Sequence, residues 1–114
     1  VSLARVEFWR ITDTDPDLSW LEQTDEQMGE GFANSAKHRL ATYGDGWWMV
    51  GIRAALVADD GCTVAESPGL WGIESDSDDA YFDDIAEQEL AYLVTTLGLP
   101  TSAIDNLPTE WRET

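Results

Sequence analysis

The sequence predicts an α+β domain: a small antiparallel sheet of three to four strands with one long helix, from the C-terminal half, packed on a face. Three observations carry this. LARVEFWRIT (3–12) and WWMVGIRAALVA (47–58) alternate apolar and other residues at the two-residue period of a strand. Asp59-Asp60-Gly61 supplies the positive φ of a tight hairpin and joins the second stretch to a return strand, Cys62–Ser67. GLWGIESDSDDAYFDDIAEQELAYLVTTLG (69–98) places Phe82, Ile85, Ala86, Leu90, Leu93 and Leu97 at three- and four-residue spacing, the signature of an amphipathic helix of about five turns.

In chain order, Val6 and Phe8 form the inner face of the first strand, opposite Arg5, Glu7 and Trp9. Asp13-Thr14-Asp15-Pro16-Asp17 must leave the sheet, since Asp and Pro disfavour strand interiors, and Asp15 or Asp17 caps a short helical turn over 18–22. Residues 23–46, interrupted by Gly29, Gly31, Gly44 and Gly46, carry only a weak helical signal at 32–40 and read as the least structured region. In the second strand Trp48, Val50, Ile52, Ala54 and Leu56 form the core face, with Trp47, Met49, Gly51, Arg53 and Ala55 opposite. Pro68-Gly69 ends the return strand, and Leu70–Ile73 extends it after a bulge or forms a strand of its own. Ser75, Asp76 or Ser77 caps the long helix, and Gly98 followed by Pro100 stops it. The tail adds a short turn at 101–104, with Leu107 and Trp111 packing back. The whole chain, 1–114, reads as a single acidic domain.

Charge narrows the function. Twenty-three acids against six bases give a formal net charge of −17 and a pI near 4.1. Residues 1–53 contribute nine acids and five bases, whereas residues 54–111 hold thirteen acids and no base. A one-sign field of this kind repels nucleic acid and anionic membrane and attracts basic protein surfaces. No apolar run approaches the ~20 residues of a membrane span, and the N-terminal stretch has no basic-then-apolar leader. Cys62 is the single cysteine, which fits a reducing cytoplasm and reads as a small semi-buried strand residue.

Catalytic and metal patterns are weak. Counted from Asp13, a calcium loop would need Gly at Leu18 and Glu at Thr24. Glu74-x-Asp76-x-Asp78-Asp79 is explained by helix capping and the helix dipole. His38, the one histidine, stands in a loop without a Cys, His or Glu at ligand spacing. The reading is therefore of a non-enzyme, with no catalytic residue, metal or cofactor.

The acidic helix is the stronger signal. Asp76, Asp79, Asp83 and Glu87, spaced three, four and four, fall in one row flanked by Asp78, Asp84 and Glu89. Four helical residues advance about 6 Å, close to the interval between phosphates on a nucleic-acid strand. No Lys or Arg is interleaved, although ordinary solvated helices mix signs and gain stability by it. Among the tryptophans, Trp9, Trp48 and Trp71 are read as core, while Trp47, opposite the core face, is a candidate exposed anchor beside the carboxylates.

The GLWGIESDS segment and the acidic helix after it, with the preceding YGDGWWMVGIRA and DPDLSWLEQ, resemble a group of small proteins carried by phages, plasmids and integrative elements. The resemblance covers most of residues 13–98. It supplies no catalytic residues and implies a setting, a mobile element in a host cytoplasm, where small acidic proteins often inhibit defence nucleases. The expected function is thus an acidic inhibitor that mimics nucleic acid and blocks a DNA- or RNA-binding groove of a CRISPR or restriction effector. Asp76, Asp78, Asp79, Asp83, Asp84, Glu87 and Trp47 are its expected contacts. The alternative is a non-catalytic accessory domain whose acidity serves solubility or high-salt adaptation.

Overall fold

A computed structural model describes residues 2–114. Its frame is β2 (Met49–Ala58), the central strand, which pairs antiparallel with β1 (Leu3–Thr12) on one side. Its other edge is shared by β3 (Thr63–Glu66) and β4 (Leu70–Glu74), both antiparallel. The class is α+β, but the sheet has five strands and is mixed. The tail, expected to form only a turn, supplies β5 (Thr109–Glu113) parallel to β1, with Phe8 beside Trp111 and Trp9 beside Arg112.

The long helix α3 runs Asp79–Leu97. Its cap is Asp78, one residue beyond the three candidates, and Asp78 Oδ1 accepts from the Tyr81 N–H at 2.8 Å. Gly98, with φ 66°, ends it in the left-handed conformation. Phe82, Ile85, Ala86 and Leu93 are buried against Val6, Phe8, Val50, Ile52, Ala54, Leu56 and Ile73; Leu90 is half-buried, and Leu97, expected in the core, is exposed.

Residues 23–46 hold more structure than their glycines suggest. Helices α1 (Asp25–Met28) and α2 (Phe32–Ala41) form there. The Thr24 N–H donates to Gln27 Oε1, and Asp25 Oδ1 accepts from the Ala33 N–H at the start of α2. The T-x-x-Q spacing of a capping box was the available signal. Together with the 3₁₀ turn Ser19–Glu22, these elements build a second core of Leu21, Ala36, Trp47 and Met49, with Leu18, Phe32 and Tyr43 at its margin.

This second core corrects the expected tryptophan pattern. Trp47 does lie on the side opposite α3, but that side has its own cover: Trp47 is 2% exposed, and its Nε1–H donates to the Arg39 carbonyl and the Thr42 hydroxyl. Trp48 shares the α3 side with Val50 yet sits beyond the helix and is 39% exposed. Trp71 is also exposed rather than core; it lies flat over Gly51, where an added Cβ would stand 2.4 Å from the ring. Cys62, in the hairpin turn rather than a strand, is exposed. His38 is exposed as expected, but on α2. Among the described residues, no helix is long and apolar enough to cross a membrane.

Candidate partner-binding surface

Three of the four members of the predicted acidic row lie on α3, and the first does not. Asp76 precedes α3, and its carboxylate receives Arg39 Nη2 at 2.7 Å and Nη1 at 2.8 Å. Arg39 also reaches Glu74 Oε1 from Nε at 3.2 Å and Nη2 at 3.1 Å, and its guanidinium lies 3.7 Å from the centre of the Trp47 ring. One arginine thus binds two carboxylates and an indole, tying α2 to the end of β4. The Arg39 hydrogen bonds hold the Asp76 carboxyl below its ordinary value, and Asp76 in turn raises Arg39. Asp76 thus shares one cation with Glu74, leaving one negative charge on the cluster, and Trp47 is buried beneath the same arginine. Trp47 is therefore not the exposed anchor expected from its place opposite the core face, whereas Asp76 stays exposed while held by Arg39.

Two further acids around α3 are partly engaged at home. Asp78 caps the helix, although it remains exposed. Glu89 turns towards the sheet, where Oε1 accepts from the Ser67 hydroxyl and the Gly69 N–H, both at 2.8 Å.

Asp79, Asp83, Asp84 and Glu87 remain, all exposed. Among the described residues none of them forms an ion pair. With 3.6 residues per turn, each four-residue step also rotates about 40° around the helix. The row Asp79–Asp83–Glu87 accordingly climbs from the flank of α3 towards its crest, where Asp84 stands.

The flank end of that row borders a groove of about 450 Å³ between α3 and the β1–β5 edge. Asp79, Asp83 and Glu113 supply carboxylates, Phe82 and Trp111 supply rings, and Arg10 spans the floor, paired with Glu113 and 5.2 Å from the Phe82 ring centre. Trp111 packs edge-on to Phe8 at 5.4 Å and leaves 43% of itself exposed. It is the aromatic that stands beside the helix acids, the role first given to Trp47. Sequence reasoning missed it because the tail gave no strand signal to bring residue 111 alongside residue 8.

The other carboxylate runs have local explanations. Asp13 Oδ1 accepts from the Asp15 N–H and Asp17 Oδ1 from the Ser19 N–H, as side-chain turns, and the Ser19 bonds lower the Asp17 carboxyl. Among the described residues no group of His, Cys, Asp or Glu is arranged to hold a metal ion.

The molecule is a rod, 54 × 24 × 22 Å. Its 17 net negative charges, spread along 54 Å, amount to one per about 3 Å. That density is close to one strand of duplex DNA, at about 3.4 Å per charge. No protein-family model matches this chain, and neither the curated proteins nor the solved structures with which it was compared include a match.

Proposed function

We propose that this protein is an acidic inhibitor that occupies the nucleic-acid groove of a basic protein, of the kind found in CRISPR and restriction effectors. The observation that carries the proposal is the exposed set Asp79, Asp83, Asp84 and Glu87, free of ion pairs among the described residues, on a rod whose charge density approaches that of a nucleic-acid strand. Each of these carboxylates stands in for a phosphate, and the partner's Lys and Arg side chains supply the missing cations. Trp111, in the groove beside Asp79 and Asp83, offers a ring on which an arginine can stack. The resemblance to phage and plasmid proteins supports the same reading, since such elements meet host defence nucleases.

Capture from host lysate on the tagged protein, followed by elution with duplex DNA, tests the proposal. The expected result is a nucleic-acid-binding enzyme that DNA displaces, held less tightly as salt rises, and lost when Asp79, Asp83, Asp84 and Glu87 are together changed to Asn. Capture unaffected by both the competitor and the quadruple substitution would refute it.

A further inference from the structure

The side of the sheet turned away from α3 is covered by α2 and the 3₁₀ turn only at its Met49 end. Beyond that cover the surface consists of arginine, tryptophan and glutamate side chains lying across the strands. Glu7 is 5% exposed and accepts from Arg5 Nε at 2.7 Å and Trp9 Nε1 at 2.8 Å, with Arg112 Nη1 at 3.6 Å. The Trp9 bond, with Arg5 and Arg112 behind it, outweighs burial and holds the Glu7 carboxyl below its ordinary value. The Arg112 guanidinium lies 5.7 Å from the Trp9 ring centre, and that of Arg53 lies 5.9 Å from Trp71 while its Nη1 meets Glu66 at 3.2 Å.

The charge balance of this face differs from that of the whole molecule. Arg5, Arg53 and Arg112, three of the six basic residues, are matched here by Glu7, Glu66 and Glu110. The patch is formally neutral on a chain of net charge −17. It also carries Trp71 at 42% exposure, and Val64, the extra residue at the register shift of β3, stands at its margin at 52%.

We propose that this face is an interface for a second copy of the same chain. Two bodies of charge −17 approach at least cost through a balanced surface, and every acidic segment of α3 then points outward, away from its equivalent. The pattern is also self-complementary. Glu110 and Arg112 stand two apart on β5 with side chains 63% and 60% exposed, so rotation about a twofold axis can set the arginine of one copy against the glutamate of the other. Tryptophan and arginine are the residues most enriched at the energetic centres of interfaces. A dimer built this way shows two α3 surfaces on opposite sides, and a partner with two basic grooves would bind it with avidity.

Sedimentation equilibrium of the full chain over a concentration series tests this, independently of the nucleic-acid-mimic reading. The expected mass at high concentration is twice 12.7 kDa. Val64→Glu, which adds an unmatched charge at an exposed position, weakens dimerisation by about tenfold or more, and Arg112→Glu does the same. The quadruple Asn variant of α3 leaves the dimer intact, and added salt preserves or strengthens it by screening the outer acids, opposite to the trend for a partner's basic groove. A mass of 12.7 kDa throughout the series overturns the proposal, as does a dimer that withstands Val64→Glu. If Arg112→Glu loses its far-UV circular dichroism, Val64→Glu decides the matter alone.

Discussion

Arg39 divides the carboxylates before α3 from those on it, and the division can be measured. Asp76→Ala removes the bonds at 2.7 and 2.8 Å from Arg39. The side chains of Arg39 and Asp76 are 28% and 45% exposed, so solvent screens the pair. Its two-bond geometry places it near the top of the range for exposed pairs, about 1 kcal/mol, and not among the several-kcal/mol buried bridges. Arg39→Ala takes more. Glu74 and Asp76 both lose their cation, and Trp47 loses the guanidinium stacked 3.7 Å from its centre. That stack contributes about 0.5–1 kcal/mol, which brings the loss to about 2 kcal/mol. For a domain of this size 1 kcal/mol corresponds to about 4 °C in melting temperature, so Asp76→Ala lowers the midpoint by about 4 °C and Arg39→Ala by about twice that. Thermal melts followed by circular dichroism at neutral and acid pH are the assay. Because Asp76 is held below 3.8, its contribution is fully present above that value and is lost as pH falls through the depressed pKa. The wild-type advantage over Asp76→Ala is therefore constant near neutrality and closes in acid. An unchanged midpoint for Asp76→Ala would refute the reasoning. So would partner binding that depends on Asp76 but not on Asp79 and Asp83.

Three other outcomes follow from the packing and the charge. Glu89→Ala leaves the Gly69 N–H and the hydroxyl of the buried Ser67 without their acceptor; the expected loss is about 2 kcal/mol in denaturant titration, and Glu89→Gln, which keeps an acceptor oxygen, loses much less. Gly51→Ala places a methyl 2.4 Å from the Trp71 ring, which must swing away; near-UV circular dichroism changes, and stability falls by about 1–3 kcal/mol. The melting temperature of the wild type rises with potassium chloride, because screening relieves the mutual repulsion of 17 net charges; a flat response would show that the acids on this rod do not feel one another.

The period-two and period-three-to-four patterns made β1, β2 and α3 legible because each reports which side of an element is apolar. They do not report what lies over the other side. Trp47 and Met49 were assigned to the correct face of β2, but the cover of that face comes from α2, whose residues mix Lys37, His38 and Arg39 with one buried alanine, Ala36. A helix anchored mainly by Phe32 and Ala36 leaves almost no periodic trace. β5 was hidden for a related reason. All five of its residues are exposed, so no burial pattern marks Thr109–Glu113 as a strand. Its pairing depends on the parallel register with β1.

The same distinction governs the candidate surface. Spacing alone treats Asp76, Asp79, Asp83 and Glu87 as equivalent, since all four carry the same charge at helical intervals. What separates them is whether a cation from elsewhere in the chain reaches each one. Arg39 lies thirty-seven residues from Asp76 and reaches it only because α2 packs at the end of β4. The remaining arginines are placed as selectively: Arg5, Arg53 and Arg112 lie on the face opposite α3, and Arg10 pairs with Glu113 below the groove. A chain with six bases could have paired one of them with Asp83, Asp84 or Glu87 and gained stability, yet even Arg10, in the groove with Asp79 and Asp83, pairs with Glu113. The fold instead directs arginines to Trp47, Trp9 and Trp71 and leaves the α3 carboxylates, like most of those in the loops, without an ion pair among the described residues. Under the proposed function a basic partner would pair with the α3 carboxylates, whereas a salt-adapted protein would leave them to solvent; unpaired acids elsewhere on the chain fit both readings.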